Sequence, residues 1–380
     1  MMPPDEASRG RTMPTRQMVF WALAIAAFAL VLWLLRDILL PFVAGVAIAY
    51  LLDPLANRIE RLGVSRLIAA LLIVGMFVLA LLVLVVLIAP ILGNQLSALI
   101  AKLPDYVAKL QALATDPNRP WLSKIVGEGF LEAQQSSGEL VKQGVGWLAA
   151  FLTSLWAGGR ALISILSLLV VTPVVAFYFI YDWPRMVAAV DGWVPRPHQE
   201  TVRALGREIN AAIAGFVRGQ SGVCLILGAY YAVALTLVGL NFGLLIGLLA
   251  GVITFIPYVG SLTGLVVGLG VAVAQFWPDY TSILMVLGIF LVGQFVEGNV
   301  LSPKLVGESV GLHPLWLIFA LFAFAYLFGF VGLLLAVPLA AAAGVLVRFA
   351  LRQYLASPLY TGPPVPPAAA AAPAPGKERR

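Results

Sequence analysis

Repeated apolar runs of about bilayer length are the feature that most constrains how this chain can fold. Residues 18–35, 67–92 and 221–238 are three such runs, and a transmembrane helix needs roughly 20 consecutive apolar residues. The runs are continuous rather than alternating, which excludes a transmembrane β-barrel. Only 11% of the residues are charged, against about 25% in a typical soluble domain. The sequence therefore predicts an all-α polytopic membrane protein.

Basic residues assign the connecting segments to one side of the membrane. They are concentrated in both termini and in residues 53–66 and 182–218, which predicts that these parts, including the N- and C-termini, are cytoplasmic. The chain divides into seven segments: a disordered tail (1–17), transmembrane helices 1–3 (18–92), an extramembrane amphipathic block (93–146), transmembrane helix 4 (147–181), a cytoplasmic amphipathic segment (182–218), a C-terminal transport core with two repeat units (219–348) and a Pro/Ala-rich tail (349–380).

The extramembrane block carries an apolar stripe. Leu96, Leu99, Leu103 and Leu110 recur at helical spacing, as on one face of a helix. Such a stripe must be covered by something. It can pack within the same chain or against another subunit, and the sequence leaves both options open.

Glycines spaced by four residues lie on both sides of Pro257: Gly239, Gly243, Gly247 and Gly251 before it, and Gly260, Gly264 and Gly268 after it. Small residues at this spacing let helix backbones approach closely in lipid. The pattern predicts a re-entrant helical hairpin with residues 256–260 at its tip. The alternative is a single kinked helix.

A second apolar unit, residues 315–348, repeats features of the first. Gly239 and Gly311 begin the two units, and Gly260 and Gly332 lie inside them, at the same offset of 72 residues (311 − 239). Internal repeats with broken helices are the usual architecture of secondary transporters. We therefore predict an internal repeat whose second unit is also a re-entrant hairpin.

The polar stretch from residue 294 to residue 314 lies between two apolar runs. It carries Glu297, Asn299 and Lys304 and is interrupted by glycines and prolines. Charge and broken backbone at membrane depth are costly unless they line a cavity or reach water. Glu297, which precedes a possible break at Gly298, is the candidate for proton or cation coupling. The alternative is an interfacial residue that pairs with Lys304.

Other polar residues are candidates for contact with a substrate. Gln220 and Gln294 lie near span ends, where they can hydrogen-bond a hydroxylated substrate or join two helices. Asn299 and Lys304 can contact an anionic or polyol substrate or cap a helix. Three further candidates would shape the hairpin tip, whose free backbone groups would face a cavity: Pro257, Tyr258 and Gly260.

Other function classes lack their motifs in this sequence. It contains no Ser/His/Asp or Cys/His arrangement, no paired catalytic carboxylates and no phosphate-binding loop, so we predict neither an enzyme nor an ATP-driven transporter. No cofactor or metal site is expected. The single cysteine, Cys224, lies in an apolar run and is interpreted as a small buried residue. The net charge of +6 comes without a basic patch interleaved with aromatics, which argues against nucleic-acid binding.

Ordered motifs extend from about the first span to Arg348. They are Tyr181-Asp182, Phe216-x-Arg218-Gly219-Gln220, residues 256–260, Glu297-Gly-Asn-x-Leu-x-Pro303-Lys-x-x-Gly307, Val310-Gly311-Leu-His-Pro314, Phe328-Gly329-x-x-Gly332 and Pro338. In order and spacing they resemble the autoinducer-2 exporter family of bacterial membrane permeases. The resemblance implies about eight membrane helices or hairpins, a pentameric homo-oligomer and export of small molecules.

Taken together, these features favour a secondary transporter of the bacterial inner membrane. It would export a small polar molecule, such as autoinducer-2 or a related metabolite, by elevator-like alternating access. Some proteins similar to it are described as sodium/proton antiporters, which makes antiport through Glu297 and Asp182 an alternative. A non-transporting oligomeric scaffold or channel is an alternative of another class. The expected partners are the lipid bilayer, a small-molecule substrate, H⁺ or Na⁺ and further copies of the chain.

Overall fold

Helices form the architecture of the described part of the chain. The computed structural model describes residues 38–114, 159–257, 259–307, 311 and 313–361, with scattered positions between 19 and 35. In chain order the elements are α1 (Leu39–Arg61), α2 (Arg66–Ala114), α3 (Gly159–Trp193), a 3₁₀ turn (Arg196–His198), α4 (Gln199–Leu237), α5 (Gly243–Ile253), α6 (Val259–Phe276), α7 (Tyr280–Val296), a π-helical segment (Glu297–Val306), α8 (Pro314–Leu355) and α9 (Pro358–Thr361). Within these ranges there is no strand, and six helical stretches are long and apolar enough to cross a membrane. The chain is therefore an all-helical polytopic membrane protein, as predicted.

The first described helix is longer than the sequence pattern indicated. The apolar run ends at Leu52, but α1 continues to Arg61 through part of the predicted polar connection. Asn57 donates a hydrogen bond to Asp53, one turn earlier, at 2.9 Å. Polar side chains at this spacing face each other on a helix and support it, so the helix extends beyond its apolar part.

The helices α1 and α3 and the first half of α2 form one packed unit, which we call the N-terminal bundle. Its buried residues are apolar and come from all three helices: Ala49, Leu52, Ala56, Ala70, Ile73, Val74 and Ile180. Gly45 of α1 lies so close to α3 that an added Cβ would come within 2.8 Å of the Thr172 carbonyl oxygen. Close apolar packing therefore holds this unit together.

Arg66 fastens one end of the bundle. Its guanidinium forms ion pairs with Asp53 at 2.7 Å and with Glu60 at 2.9 Å, and its Nε donates to the Ile180 carbonyl at 3.0 Å. One arginine at the start of α2 thereby joins the end of α1 to the middle of α3.

A second polar link connects the bundle to α4. Arg203 holds Asp191 through two hydrogen bonds of 2.7 and 2.6 Å. Hydrogen bonding to this guanidinium is the main reason why the pKa of the Asp191 carboxyl lies below its usual value. Arg203 thereby fixes the connection between α3 and α4.

The helix α2 is unusually long. It has 49 residues, which at about 1.5 Å per residue is about 74 Å, whereas the hydrocarbon core of a bilayer is about 30 Å thick. Leu96, Leu99 and Leu110 of the predicted stripe pack against a buried cluster formed by α4 to α7. This part of the stripe is therefore covered within the chain. Residues 115–146 of the predicted block lie outside the described residues.

The helices α4 to α8, with the π-helical segment, form a second unit, which we call the core. Val223, Leu227, Tyr231 and Leu235 follow one another at intervals of four residues on α4, and each is 1% exposed or less. Residues at this spacing share one helix face. This face of α4 is therefore fully enclosed by the rest of the core.

Three glycines of α5 bring its backbone against α4. A Cβ added at Gly243 would lie 2.8 Å from the Leu235 carbonyl carbon, and one at Gly251 would lie 2.6 Å from the Gly228 nitrogen. A Cβ at Gly247 would overlap the α4 backbone. These three glycines of the first series thus pack on α4 and not on the following helix.

The second glycine series, on α6, faces α5 and α7. A Cβ added at Gly264 would lie 2.7 Å from Ala250 Cβ. One at Gly268 would lie 2.6 Å from the Phe290 ring and 3.7 Å from Ile246. Because later residues of α6 meet earlier residues of α5, the two helices are antiparallel arms of a helical hairpin.

The helix α8 reverses direction at Gly329. The φ of 61° and ψ of −139° at this residue are not helical, and glycine adopts them at little cost. A Cβ added at Gly332 would lie 2.7 Å from the Phe324 carbonyl carbon, whereas residues eight apart on a straight helix are about 12 Å apart. Leu321 and Ala336 accordingly share one buried cluster.

Two glycine pairs at the 72-residue offset share a backbone feature. Gly239 and Gly311 both have positive φ, 77° and 54°. Gly260 and Gly332 both have a backbone neighbour where a Cβ would lie. The internal repeat, the re-entry of the hairpins into the membrane and the count of about eight segments stay predictions.

Candidate functional site

The candidate site is a junction in the middle of α4, formed by the motif at residues 216–220. The Phe216 ring packs edge-on against Phe255, with 5.8 Å between ring centroids. Gln220 is 5% exposed, and its Nε2 donates to the Thr254 carbonyl oxygen at 2.5 Å. Two side chains of α4 thus hold the end of α5, where the hairpin turns.

Between them, Arg218 and Gly219 face other elements. A Cβ added at Gly219 would lie 2.6 Å from the Leu305 carbonyl carbon and 2.8 Å from Val306 Cα, so a glycine is needed for the π-helical segment to touch α4. The Nε of Arg218 donates to the Tyr50 carbonyl of α1 at 3.0 Å. Four of the five motif positions thereby connect the hairpin tip, the π-helical segment and the N-terminal bundle.

An apolar cluster surrounds this motif and draws on five elements. Its members are Phe216, Val217 and Val337, with Ala47, Tyr50, Ile213, Phe255, Val306 and Leu317 packed around them. Ile256, the next residue of the hairpin tip, packs with Leu321 and Ala336 from the two arms of α8. The tip of the first reversal therefore meets the second.

The hairpin tip is closed by one threonine and one glycine. Thr254 is 1% exposed, and its Oγ1 donates to the Ala250 carbonyl at 2.8 Å. A Cβ added at Gly260 would lie 2.5 Å from that same Oγ1, so the predicted role of Gly260 in shaping the tip fits this contact. Pro257 is partly exposed, and Tyr258 lies outside the described residues.

The polar stretch does not break at Gly298. It continues as a π-helix from Glu297 to Val306, and the Gly307 N–H donates to the carbonyl of Ser302, five residues earlier. The physical reason is Pro303, which has no N–H to donate and would collide with a carbonyl four residues earlier in an α-helix. Short π-helical insertions are frequent at functional sites.

Glu297 begins this segment and is half-buried. Its carboxylate lies close enough to Cys224 and Tyr231 of α4 to act on both electrostatically. Within the described residues, Glu297 and the exposed Lys304 form no ion pair. The interfacial pairing that was the alternative for Glu297 is therefore not present.

The other polar candidates do not converge on the junction. The Nδ2 of Asn299 donates to the Phe295 carbonyl in its own helix at 2.9 Å, which fits the capping alternative. Gln294 and Lys304 are exposed. Asp182 forms an ion pair of 3.3 Å with Arg185 along α3.

The remaining motif residues shape the backbone around α8. Gly307 ends the π-helical segment with a φ of 58°. His313 Nδ1 accepts a hydrogen bond from the Leu315 N–H at 3.3 Å, and Pro314 opens α8, so His313 is the N-cap of α8. In the second arm of α8, Pro338 is buried.

The sequence did not point to the contacts of Tyr50. Its hydroxyl donates to Asn210 Oδ1 at 3.0 Å, beside a cavity of about 50 Å³ that Asp53 and Trp183 also line. These partners are up to 160 residues apart in the chain, and the only local signal was a tyrosine at the end of an apolar run.

A larger, wholly apolar cleft separates the N-terminal bundle from the core. It encloses about 480 Å³ and runs from Phe42 and Val46 of α1 to Phe255 at the hairpin tip and Pro338 of α8. Direct polar contact between the two units near the junction comes from Arg218 and Tyr50. The two units therefore meet there across a mainly apolar surface.

The junction offers non-covalent chemistry. Interrupted helices leave backbone groups that can hydrogen-bond a solute, and Glu297 adds an ionisable carboxylate at their edge. In the described ranges, no three or more His, Cys, Asp and Glu side chains are grouped so that they could hold a metal ion.

Comparison with known proteins places this arrangement among transporters. A family described as "AI-2E family transporter" matches residues 23–352. The chain is 28% identical over 325 residues to YrrI of Bacillus subtilis (strain 168), provisionally named a transport protein, covering 84% of this chain and 89% of YrrI. PerM of Escherichia coli (strain K12), provisionally named a permease, is 28% identical over 83% of this chain and 88% of its own. The AI-2 transport protein TqsA of the same strain is 28% identical over 83% of this chain and 86% of its own.

Proposed function

This chain belongs to the AI-2E transporter family, and on that premise we propose that it is a secondary transporter of the bacterial inner membrane that exports a small polar molecule. TqsA is named for transport of AI-2, which supports autoinducer-2 or a related hydroxylated metabolite as the substrate class. A homo-oligomer, in the form of a pentamer, with both termini in the cytoplasm completes the proposal.

The observation that carries this proposal is the convergence of interrupted helices on α4. Gln220 holds the tip of the α5–α6 hairpin, Gly219 lies against the π-helical segment, and Ile256 packs on both arms of α8. Secondary transporters bind their substrates between such interrupted helices near the middle of the membrane. The substrate is accordingly bound beside Gln220 and the hairpin tip.

Both reversals enter the membrane without crossing it in this proposal. The helix α5 has 11 residues, about 16 Å at about 1.5 Å per residue, which is roughly half the thickness of the hydrocarbon core. The two reversals are related by the 72-residue repeat.

Alternating access is proposed to be elevator-like, with the core moving against the N-terminal bundle. The apolar cleft between the two units supports this motion, because an apolar surface has no directional bonds that must be broken when one side slides. The movement has to exchange the polar contacts beside the cleft, from Arg218 and Tyr50, and the link between Arg203 and Asp191.

Coupling is assigned to Glu297. It is half-buried at the edge of the junction and has no ion pair with Lys304, and ionisable residues inside membrane segments commonly mark ion or proton pathways. The same observation favours sodium/proton antiport as the second candidate function, in which Glu297 exchanges H⁺ for Na⁺ and no organic solute moves.

Purified protein in proteoliposomes tests the proposal. Autoinducer-2 and unrelated hydroxylated solutes are loaded inside, and efflux is measured under imposed proton or sodium gradients. We expect gradient-driven efflux in the wild type and its loss in Glu297→Gln, with folding and oligomer size unchanged. Glu200→Gln, the same change at an exposed carboxylate in the first turn of α4, is the matched control and is expected to transport normally.

Three other results would redirect the assignment. Sodium-driven proton flux without any organic solute identifies the antiporter. Folded protein that moves neither solutes nor ions under any gradient contradicts a transport function and supports the scaffold alternative. Normal efflux by Glu297→Gln would make Glu297 structural.

A further inference from the structure

The hydroxyl group of Tyr231 is anomalous. Tyr231 is 0% exposed, yet its oxygen has no hydrogen-bond partner in the part of the chain that the structure describes. Buried polar groups nearly always have a partner, and an exception requires an explanation. The adjacent tyrosine is different, since the Tyr230 hydroxyl donates to the Ile289 carbonyl of α7 at 3.1 Å.

The position of this hydroxyl is set by Gly293 of α7. A Cβ added at Gly293 would lie 2.5 Å from Tyr231 Cζ, and its nearest neighbour would be the hydroxyl oxygen itself. The Tyr231 ring also packs on Phe290, with 4.9 Å between centroids. The hydroxyl therefore fills the space that a side chain at position 293 would take.

Glu297 follows Gly293 by one helical turn. Residues four apart lie on the same helix face, and side chains lean toward the N-terminus over the preceding turn. The Glu297 side chain therefore leans toward the space over Gly293, where the Tyr231 hydroxyl lies. The electrostatic effect of the Glu297 carboxylate on Tyr231 is consistent with this proximity.

We propose that Tyr231 is a positioning residue for Glu297: in one state of the transport cycle its hydroxyl donates a hydrogen bond to the ionised Glu297 carboxylate, and in the state seen here that bond is open. The inference rests on the proposed coupling role of Glu297. The bond closes by rotation about the side-chain bonds of Glu297, with both helices in place. It also gives the buried hydroxyl its partner.

The surroundings of Glu297 contain few other groups that could produce the same effect. From α4 the carboxylate acts on Cys224 and Tyr231, and its own segment contributes the exposed Lys304. The helices α5 and α6 have no ionisable side chain. A hydrogen bond to the charged form of an acid favours that form, so the Tyr231 hydroxyl would make Glu297 easier to ionise.

The test uses Tyr231→Phe, which removes only the hydroxyl. Infrared difference spectra of full-length protein in lipid are recorded across pH, and the carboxyl band of Glu297 is identified by its absence in Glu297→Gln. We expect Tyr231→Phe to move the protonation midpoint of Glu297 upward by about one pH unit, a tenfold change in proton affinity. The pH profile of transport is expected to move in the same direction.

Tyr230→Phe is the matched control, because it removes a hydroxyl that bonds to the α7 backbone and not to Glu297. It is expected to leave the midpoint unchanged and to lower the thermal unfolding temperature slightly. Tyr231→Phe is expected not to lower that temperature, since the lost hydroxyl has no partner in this state. An unchanged midpoint in Tyr231→Phe, or an equal shift in Tyr230→Phe, overturns the proposal.

A second measurement needs no change at Tyr231. The phenol C–O band that shifts with pH in the wild type should stay fixed in Glu297→Gln, and a band that still shifts contradicts the contact. The infrared and transport results also separate the two proposals. If Glu297→Gln transports normally while the infrared midpoint moves in Tyr231→Phe, the hydrogen bond exists and the coupling role fails. If Glu297→Gln loses transport while the midpoint stays unchanged in Tyr231→Phe, the coupling role stands and only the role of Tyr231 is contradicted.

Discussion

The two chain reversals of the core are held in different ways. The α5–α6 tip is fixed by Gln220 of α4, which donates to the Thr254 carbonyl, and by the Thr254 hydroxyl, which donates within its own arm. The α8 reversal at Gly329 depends on the close approach of Gly332 to Phe324 and on apolar packing. In the described ranges no side chain donates a hydrogen bond to the turn at Gly329.

This difference determines which reversal can move alone. A short hydrogen bond to a buried carbonyl has a preferred direction, and its loss leaves that carbonyl without a partner. Apolar contacts are individually weak and have no preferred direction. The α5–α6 tip should therefore move together with α4, whereas the α8 reversal can open while α4 and the tip stay in place.

The largest effect is expected from Gly260→Ala. The new methyl group would overlap the Thr254 backbone, and the tip cannot yield without breaking the Gln220 hydrogen bond. We expect destabilisation at or above the upper end of the roughly 1–3 kcal/mol typical of overpacked sites, measured by thermal unfolding in detergent. Gly270→Ala, also on α6 but with nothing within 4 Å of the new Cβ, is the control and should be near neutral.

Gly332→Ala makes the comparison quantitative. Its methyl group meets the Phe324 carbonyl as closely as the Gly260 methyl meets Thr254. Because the α8 reversal has no such anchor, it can open and reduce the overlap, so a clearly smaller loss of stability is expected. Equal losses in Gly260→Ala and Gly332→Ala would contradict the difference between the two reversals.

An intermediate effect is expected from Gln220→Leu. It leaves the buried Thr254 carbonyl without its donor, which costs about 1–3 kcal/mol, whereas Gln294→Leu at an exposed position should change stability little.

Thiol labelling of the Gln220→Leu variant shows which reversal opens. When this variant also carries Cys224→Ala, a cysteine replacing the buried Ser261 (3% exposed) should become reactive to a water-soluble thiol reagent. A cysteine replacing the buried Ala336 (0% exposed) should stay protected. Exposure of both would mean that the reversals open together.

The smallest effect is expected from Tyr50→Phe, which removes the partly solvated hydrogen bond to Asn210. The loss of stability should be below about 1 kcal/mol, and the cysteines at positions 261 and 336 should both stay protected. Labelling at either position would show that the contact with the N-terminal bundle controls the reversals.

Pro257 and the glycine spacing are local signals, so the sequence could locate the turn between α5 and α6, whose re-entry into the membrane stays a prediction. The sequence did not predict which neighbour each glycine series meets. A small residue indicates that something comes close, and only the fold decides that Gly251 meets α4 while Gly264 meets α5.

The continuation of the helix beyond Gly298 was missed for a related reason. Glycine and proline both favour interruption, and the sequence alone cannot balance them against the packing of the segment on Gly219. The structure resolves the conflict by widening the helix so that Pro303 fits.

The sequence did not predict the other contacts of the site, because they join positions that are far apart in the chain. Gln220 and Thr254 are 34 residues apart, and Tyr50 and Asn210 are 160 residues apart. Periodicity within a helix carries no information on such pairs. Gln220 was chosen from its place at a span end, whereas its partner Thr254 gave no signal of its own.

The length of α2 has a mechanical consequence. Its first turns are buried in the N-terminal bundle through Ala70 and Ile73, and its far part packs on the core through Tyr106. A rigid rod of about 74 Å moves its far end by about 1.3 Å for each degree of tilt at its base. α2 therefore connects the two units, and a tilt of the whole helix by a few degrees would displace Ala114 by several ångströms.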